Sequence, residues 1–266
     1  MSGEQSEVLR VERRPDGIAV LTLNDPGRRN AMSDEMTAAY KQAIADLRGD
    51  AGLRCVVLTG AGTAFSSGGD LSWLADSGAV AVPALRDRML EFYRTWLTIR
   101  SLEVPTIAAL NGHAVGAGLC LALACDLRYA AEDAKLLAPF TALGLHPGMA
   151  ATWLFPEVAG LPLAREMLLA GRVLTGAEAA RHGLVNQAFP REDVLAETLG
   201  IAERIAANAP VATRLTKVAL AGGGHADQDA ALRWESLAQP VTMATEDMIE
   251  GLTAQRDKRA ARFTGA

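Results

Sequence analysis

The feature that most constrains the fold is an alternation between strand-like and helix-like segments in the first half of the chain. Asp16 to Asn24 alternates apolar and polar residues, and Arg54 to Gly60 is a short apolar run. Between them, Ser33 to Gly49 has the apolar spacing of an amphipathic helix, with Ser33 as its N-cap. Strands joined by such helices pair in parallel through right-handed crossovers. We therefore predict an α/β fold on a largely parallel sheet.

The same alternation continues before the chain changes character. We predict a helix over 83–101, a strand over 105–112, a helix over 118–125 and a strand over 126–131. After about residue 150, nearly all segments have helical spacing, with one short strand at Leu184 to Phe189. The sequence thus predicts an α/β core followed by a helical C-terminal part.

Composition and charge exclude several classes of protein. The chain has 266 residues, 50% of them hydrophobic and 21% charged, as expected for a soluble globular protein. Its net charge of -5 and scattered basic residues argue against a nucleic-acid partner. Its apolar runs are too short for a membrane span, and its polar N-terminus does not resemble a secretory signal. With three cysteines in apolar segments, we expect a cytoplasmic protein with reduced thiols.

A glycine-rich turn lies between a predicted strand and a predicted helix, at Asn111 to Ala122 ("NGHAVGAGLCLA"). Such a turn leaves backbone N–H groups free at a helix N-terminus, where negative charge is favoured. The turn matches the dinucleotide-binding fingerprint only in part and does not follow the first strand. It also lacks the Gly-Lys-Ser/Thr of a phosphate-binding loop. A nucleotide phosphate is therefore not the expected ligand.

A second turn of the same kind follows the apolar strand "RCVVL", at Thr59 to Leu74 ("TGAGTAFSSGGDLSWL"). Two strand-ending loops with bare backbone donors can direct two N–H groups at one oxygen, which is the arrangement of an oxyanion hole. The alternative is that both glycine clusters are only tight turns. Spacing alone leaves both interpretations open.

At this point the chain resembles the crotonase, or enoyl-CoA hydratase/isomerase, superfamily. The resemblance runs from "LTLNDPGRRNAMS" through "VVLTGAGTAFSSGGDL" and "PTIAALNGHAVGAGLCLALACDLRYAA" to "LTGAEAARHGLVNQAFP". It implies a crotonase-like α/β core of repeated ββα units over residues 1–200 and a helical trimerisation region over residues 201–266. The expected assembly is a homotrimer or a dimer of trimers.

The resemblance also implies a thioester-binding site. The carbonyl oxygen of an acyl-CoA would accept hydrogen bonds from the backbone N–H groups of Gly69 and Ala117. Coenzyme A would enter as part of the substrate, with no separate cofactor and no metal.

The resemblance places coenzyme A along "GRRNAM" and "FSSGGDL". Arg28 or Arg29 is a candidate for phosphate contact, because a guanidinium suits phosphate, or else both are solvated loop charges. Ala31 and Ser67 are candidates for backbone contact, and Lys258 and Phe263 are weaker ones. Further substrate-binding candidates are Asp70, Leu71, Trp73, Gly116, Cys120 and Phe140. Phe92 and Trp96 are additional candidates for the acyl pocket.

The acid/base positions of the family lack carboxylates in this chain. By motif alignment, the two hydratase glutamates fall on Cys120 and Phe140, and a later isomerase carboxylate falls on Gly148. Cys120 is either a thiol activated by a helix N-terminus or a small core residue. His146 is a candidate catalytic base, or a histidine that packs under its loop. His113 is expected to be structural.

These residues support a crotonase-family enzyme that stabilises a thioester enolate, with an enoyl-CoA hydratase or isomerase as the first expectation. One alternative is another crotonase reaction, such as decarboxylation, thioester hydrolysis or C–C cleavage. The other is an acyl-CoA-binding protein without catalysis.

Overall fold

A computed structural model of the protein describes residues 8–70, 81–221 and 225–266, and within them the chain forms two sheets. The larger has six strands in the order β1-β2-β3-β5-β7-β10, and all neighbours are parallel except the antiparallel pair β1 and β2. Its strands are β1 (Leu9–Arg13), β2 (Ile18–Leu23), β3 (Cys55–Gly60), β5 (Thr106–Leu110), β7 (Leu127–Ala131) and β10 (Gln187–Phe189).

The smaller sheet has four short strands in the order β4-β6-β8-β9. The strands β4, β6 and β8 are parallel, and β9 is antiparallel to β8. The strands are β4 (Ala64–Ser66), β6 (His113–Val115), β8 (Lys135–Leu137) and β9 (Leu174–Thr175).

Nine α-helices occur in the described ranges. They are α1 (Asp34–Arg48), α2 (Val82–Leu97), α3 (Ala117–Leu123), α4 (Ala151–Leu169), α5 (Gly176–Arg181), α6 (Val194–Ala206), α7 (Pro210–Leu220), α8 (Gln228–Met243) and α9 (Glu246–Asp257). In chain order, β3 and β4 precede α2, β5 and β6 precede α3, and β7 and β8 precede α4. The predicted α/β fold of repeated ββα units is confirmed.

The predicted strands of the large sheet lie where apolar periodicity placed them, and so does α1. The Ser33 side chain caps α1 by accepting a hydrogen bond from the Met36 N–H. The helix predicted over 83–101 is α2 followed by a 3-10 turn, Thr98–Ser101. The sequence did not reveal any strand of the small sheet, because strands of two or three residues are too short for a period to be read. It also did not reveal β1, whose five residues include only one that is buried.

The core fills the space between the sheets and helices. All six residues of β3 are buried, and α6 packs on the same sheet through Val194, Thr198 and Ala202. On α1, the Tyr40 ring stacks on Trp96 with centroids 4.3 Å apart, and its hydroxyl donates to the Trp96 carbonyl. Trp96, a candidate for the acyl pocket, is therefore a core residue.

The C-terminal part is helical, as predicted, and its last residues fold back on α9. The buried carboxylate of Asp247 accepts hydrogen bonds from the N–H groups of Thr264 and Gly265, at 2.7 and 2.9 Å. The expected domain boundary between residues 200 and 201 falls within α6, whose buried face belongs to the core. The division at that point remains a prediction.

Candidate active site

The small sheet brings three loops to one edge of the molecule. Ser66 of β4 pairs with Ala114 of β6, and Val115 of β6 pairs with Leu137 of β8. The carboxyl ends of neighbouring parallel strands meet at the same edge. The loops that follow these strands begin at residues 67, 116 and 138, so the two glycine turns and the segment containing Phe140 converge.

The two glycine turns touch through their backbones. Gly68 has φ +85°, and a Cβ added to it would lie 2.5 Å from the Val115 carbonyl oxygen and 3.1 Å from the Ala117 nitrogen. A Cβ on Gly118 would lie 2.6 Å from the Ser66 carbonyl oxygen. A side chain at either Gly68 or Gly118 would collide with the backbone of the other turn, so both positions require glycine. The contact places the residues around Gly69 and Ala117 side by side.

Each candidate donor lies at a position where the adjoining helix or bridge, as far as the structure describes it, does not use its backbone N–H. Ala117 is the first residue of α3, so its N–H is one of the unpaired groups of a helix N-terminus. Gly69 forms an isolated bridge with Met32 in which Met32 N–H donates to the Gly68 carbonyl at 2.8 Å. Among the described residues, nothing lies within 4 Å of a Cβ added to Gly69. Both N–H groups therefore stay candidate donors to one bound oxygen.

Asn30 holds the first of these loops in place. It is fully buried and adopts φ +56°, in the left-handed region. Its Nδ2 donates to the carbonyl oxygens of Ala61 and Ala64 at 2.9 and 2.8 Å, and its Oδ1 accepts from the Asp25 N–H at 2.9 Å. Sequence reasoning missed Asn30. The only signal was a lone asparagine in a turn-rich stretch, which is ordinary for a surface loop.

Ser66 and Ser67 connect the same two segments. The Ser66 hydroxyl donates to the Asn30 carbonyl at 2.8 Å and accepts from the Gly68 N–H at 3.1 Å. The Ser67 N–H donates to the Arg29 carbonyl at 2.9 Å. The predicted neighbours Ala31 and Ser67 therefore lie on adjoining strips of backbone beside Gly69.

The two arginine candidates differ in their surroundings. The Arg28 Nε donates to Asp25 Oδ2 at 2.6 Å in an exposed ion pair. Arg29 is exposed, and its guanidinium has no hydrogen-bond or ion-pair partner in the ranges that the structure describes. Since a pre-existing ion pair must loosen before Arg28 contacts phosphate, Arg29 is the freer of the two cations.

Comparison with known proteins identifies the family. A sequence model described as enoyl-CoA hydratase/isomerase matches residues 13–266. The chain belongs to the enoyl-CoA hydratase/isomerase family. The predicted family is thus confirmed, and with it the prediction of a hydratase/isomerase type of enzyme.

Individual relatives agree over nearly the whole chain. A crotonyl-CoA hydratase from Syntrophomonas wolfei is 34% identical over 94% of this chain and 95% of its own length. The mitochondrial enoyl-CoA hydratase domain-containing protein 2 of Mus musculus is 36% identical over 94% of this chain and 85% of its own. The crystal structure of an enoyl-CoA hydratase from Bacillus anthracis, 32% identical, superimposes with a TM-score of 0.91 over 97% of this chain and 100% of the other.

Two of the three family acid/base positions that lack carboxylates lie close together in this crotonase fold. The Cys120 Sγ lies 3.8 Å from the Gly148 carbonyl oxygen. The third position, Phe140, faces the glycine turn, with its ring 3.7 Å from where a Cβ of Gly116 would be. A thiol and an aromatic ring thus stand at the two positions where the family resemblance predicts the hydratase glutamates.

Burial raises the pKa of the Cys120 thiol well above its ordinary value, despite its place in the first turns of α3. Desolvation disfavours the thiolate more than the backbone hydrogen bond of Cys120 favours it. Burial also raises the pKa of Cys55 and of Cys125, each to about 12. Of the two interpretations of Cys120, the structure therefore favours a small core residue over an activated thiol.

We expect the folded protein to resist alkylation by iodoacetamide at mildly alkaline pH. Because all three thiols are buried with raised pKa values, they stay protonated and inaccessible where an ordinary thiol with a pKa near 8.5 is half ionised. Mass spectrometry should show no modified cysteine in native buffer and three in denaturant. Rapid native labelling of Cys120 would contradict this and restore the activated-thiol interpretation.

The histidine candidates have different places. His146 is exposed, and its Nδ1 lies 2.8 Å from the Pro147 carbonyl oxygen. In the described ranges no hydrogen bond joins His146 to Cys120 or Gly148, and its catalytic role stays a prediction. His113 accepts a hydrogen bond from the Lys135 N–H at 3.0 Å, which is a structural role within the small sheet.

The other candidate residues from the sequence lie in several parts of the chain. Asp70 is partly buried and follows Gly69, while Leu71 and Trp73 lie outside the described residues. Phe92 is partly buried on α2. Lys258 ends α9, and the Phe263 carbonyl accepts from Arg54 at 3.1 Å in the C-terminal tail. No group of three His, Cys, Asp or Glu in the described ranges could hold a metal ion, and no helix there is long and apolar enough to cross a membrane.

Proposed function

We propose that the protein binds an acyl-CoA thioester and stabilises its enolate form through the N–H groups of Gly69 and Ala117. The observation that supports the proposal is the backbone contact between the two glycine turns, which brings together the segments that carry the two candidate donors. Charge that develops on a thioester oxygen there would meet fixed dipoles that need no reorganisation. An enoyl-CoA hydratase or isomerase is the reaction type that this site and family favour.

Each part of the substrate then has a proposed partner. Arg29 contacts a coenzyme A phosphate, with Arg28 joining if its ion pair with Asp25 loosens. The backbone beside Ala31 and Ser67 accompanies the pantetheine and adenine. Phe140, Gly116 and Cys120 are the proposed neighbours of the acyl group. Asp70, Leu71 and Trp73, which follow Gly69 in the sequence, stay candidate contacts. Coenzyme A enters as part of the substrate, and no separate cofactor is proposed.

Two assays test this function together. Calorimetry with crotonyl-CoA should show binding, and the absorbance of its conjugated thioester should fall as water adds to the double bond. Gly69→Pro removes one donor and is the negative control. Binding that is absent in the wild-type protein would contradict the acyl-CoA site itself.

A second reaction class is favoured by a specific observation, which is the absence of a carboxylate at Cys120, Phe140 and Gly148. A substrate that loses carbon dioxide forms its own enolate, so the enzyme need supply only the oxyanion hole and one proton. Turnover of a malonyl-CoA-type substrate without hydration of crotonyl-CoA would select this class. Tight binding with no conversion in either panel would select the non-catalytic acyl-CoA-binding alternative.

We also propose that the protein works as a homotrimer or a dimer of trimers in the cytoplasm. The support for assembly is a set of large apolar side chains that α8 and α9 leave exposed, including Leu237 at 71% and Ile249 at 63%. Several large apolar side chains exposed on neighbouring helices usually mark a surface that contacts another protein. The three unbridged cysteines suit a reducing compartment. Light scattering that gives a monomer mass would overturn the assembly.

A further inference from the structure

Helix α2 packs near the Cys120–Gly148 pair. Tyr93 lies on this helix, and its hydroxyl oxygen would be 2.4 Å from a Cβ added to Gly148. The Tyr93 hydroxyl therefore occupies the space that any side chain at position 148 would have to enter. Sequence reasoning could not find it, because a tyrosine among the aromatic residues of an amphipathic helix carries no local sign of a site.

The Tyr93 hydroxyl is also chemically available. It has no hydrogen-bond partner among the residues that the structure describes, and its side chain is only partly buried. Burial raises the pKa of the phenol, with a further contribution from Cys120, so the group is neutral and carries its proton near pH 7. Its proton is therefore available for donation to a group bound beside Gly148.

The position of this hydroxyl relates it to the proposed oxyanion hole. Cys120, which Tyr93 adjoins, is three residues after Ala117 on α3, and residues three apart share one face of a helix. Ala117 and the Tyr93 hydroxyl therefore both border the first turn of α3, one at its start and the other beside Cys120 and Gly148. An acyl group whose carbonyl oxygen is held at the Ala117 N–H, and whose chain runs towards Cys120, would bring its α-carbon near that hydroxyl.

We propose that Tyr93 is the proton donor of this site, giving its hydroxyl proton to the α-carbon of the thioester enolate. The inference rests on the proposed acyl-CoA site. In the step, the enolate electron pair forms a new C–H bond, the O–H bond of Tyr93 breaks, and the carbonyl oxygen loses its negative charge. The phenolate left behind takes a proton from water through the exposed part of the side chain.

The reverse step gives a test that does not depend on which overall reaction the protein performs. A phenolate that accepts an α-proton exchanges the α-hydrogens of a saturated acyl-CoA for deuterium. We expect the wild-type protein to catalyse this exchange for butyryl-CoA in mildly alkaline deuterated water. Mass spectrometry measures the deuterium that butyryl-CoA takes up. Tyr93→Phe, which keeps the ring and deletes the hydroxyl, should slow the exchange by about 100-fold or more, as for loss of a general acid/base.

A matched control deletes the same group elsewhere. Tyr129→Phe removes a phenolic hydroxyl from β7, where the ring centroid of Tyr129 lies 6.0 Å from that of Phe189. This substitution should leave the exchange rate unchanged. Calorimetry should give the same butyryl-CoA affinity for wild type and Tyr93→Phe, because the hydroxyl acts on the reacting carbon and not on coenzyme A. Any lowering of the rate should therefore appear in kcat and not in KM.

The outcomes separate the two proposals. If the wild-type protein does not bind butyryl-CoA, the proposed function is overturned. Binding without wild-type exchange, or exchange that Tyr93→Phe leaves intact, would overturn the role of Tyr93 and leave the acyl-CoA site standing. Exchange that is lost in Tyr93→Phe with affinity retained supports both.

Discussion

Ala117→Pro is expected to lower kcat/KM of the protein on its acyl-CoA substrate by about 100- to 1,000-fold, the usual effect of removing one oxyanion-hole donor. Ala117 is the first residue of α3, where proline is tolerated because the N–H has no partner within the helix. The preceding Gly116 has φ 53° and ψ -117°, a conformation that glycine can adopt before proline. The variant should therefore fold while it lacks the donor.

The control for this variant is Ala117→Gly, which keeps the N–H and shortens the side chain. It should retain kcat/KM within about threefold, since the small cost of glycine in a first helical turn does not touch the donor. Circular dichroism and the thermal midpoint establish that both variants are folded. Full activity in the proline variant would show that the substrate oxygen does not use the Ala117 N–H.

Asn30→Ala is expected to lower the free energy of unfolding by about 3 kcal/mol. The substitution leaves the buried carbonyl oxygens of Ala61 and Ala64 without the Asn30 amide, at about 1–3 kcal/mol for buried groups that lose a partner. It also places alanine at φ +56°, which costs about 1 kcal/mol more than asparagine there. Urea denaturation followed by fluorescence measures the change.

Asn30→Gly separates the two causes. It removes the same hydrogen bonds but relieves the left-handed backbone, so it should be the less destabilised of the two variants. Activity should fall in both, because the lost amide no longer ties the turn at residue 30 to the Ala61 and Ala64 carbonyls, and the backbone of that turn positions Ser66 and, through it, Gly68. A loss of less than about 1 kcal/mol in Asn30→Ala would mean that the carbonyls find other partners.

The residues of the site differ in how visible they are in the sequence. Gly68, Gly69 and Gly116 stand out because glycine clusters after apolar strands are rare and have a direct backbone meaning. Cys120 and Gly148 were noticed only because the family resemblance sets an expectation at those positions. Asn30 and Tyr93 gave no signal, since each acts through a partner more than 30 residues away in sequence.

The sequence by itself determined the alternation of strands and helices, the parallel large sheet, the family and the two loops that carry the candidate donors. These are local properties, since apolar period, capping residues and glycine turns are written in adjacent residues. The tertiary structure alone decided the small sheet, the contact of Gly68 with Val115 and Ala117, and the approach of Tyr93 to Gly148. These depend on the registers of short strands and on packing between distant segments, which no local pattern encodes.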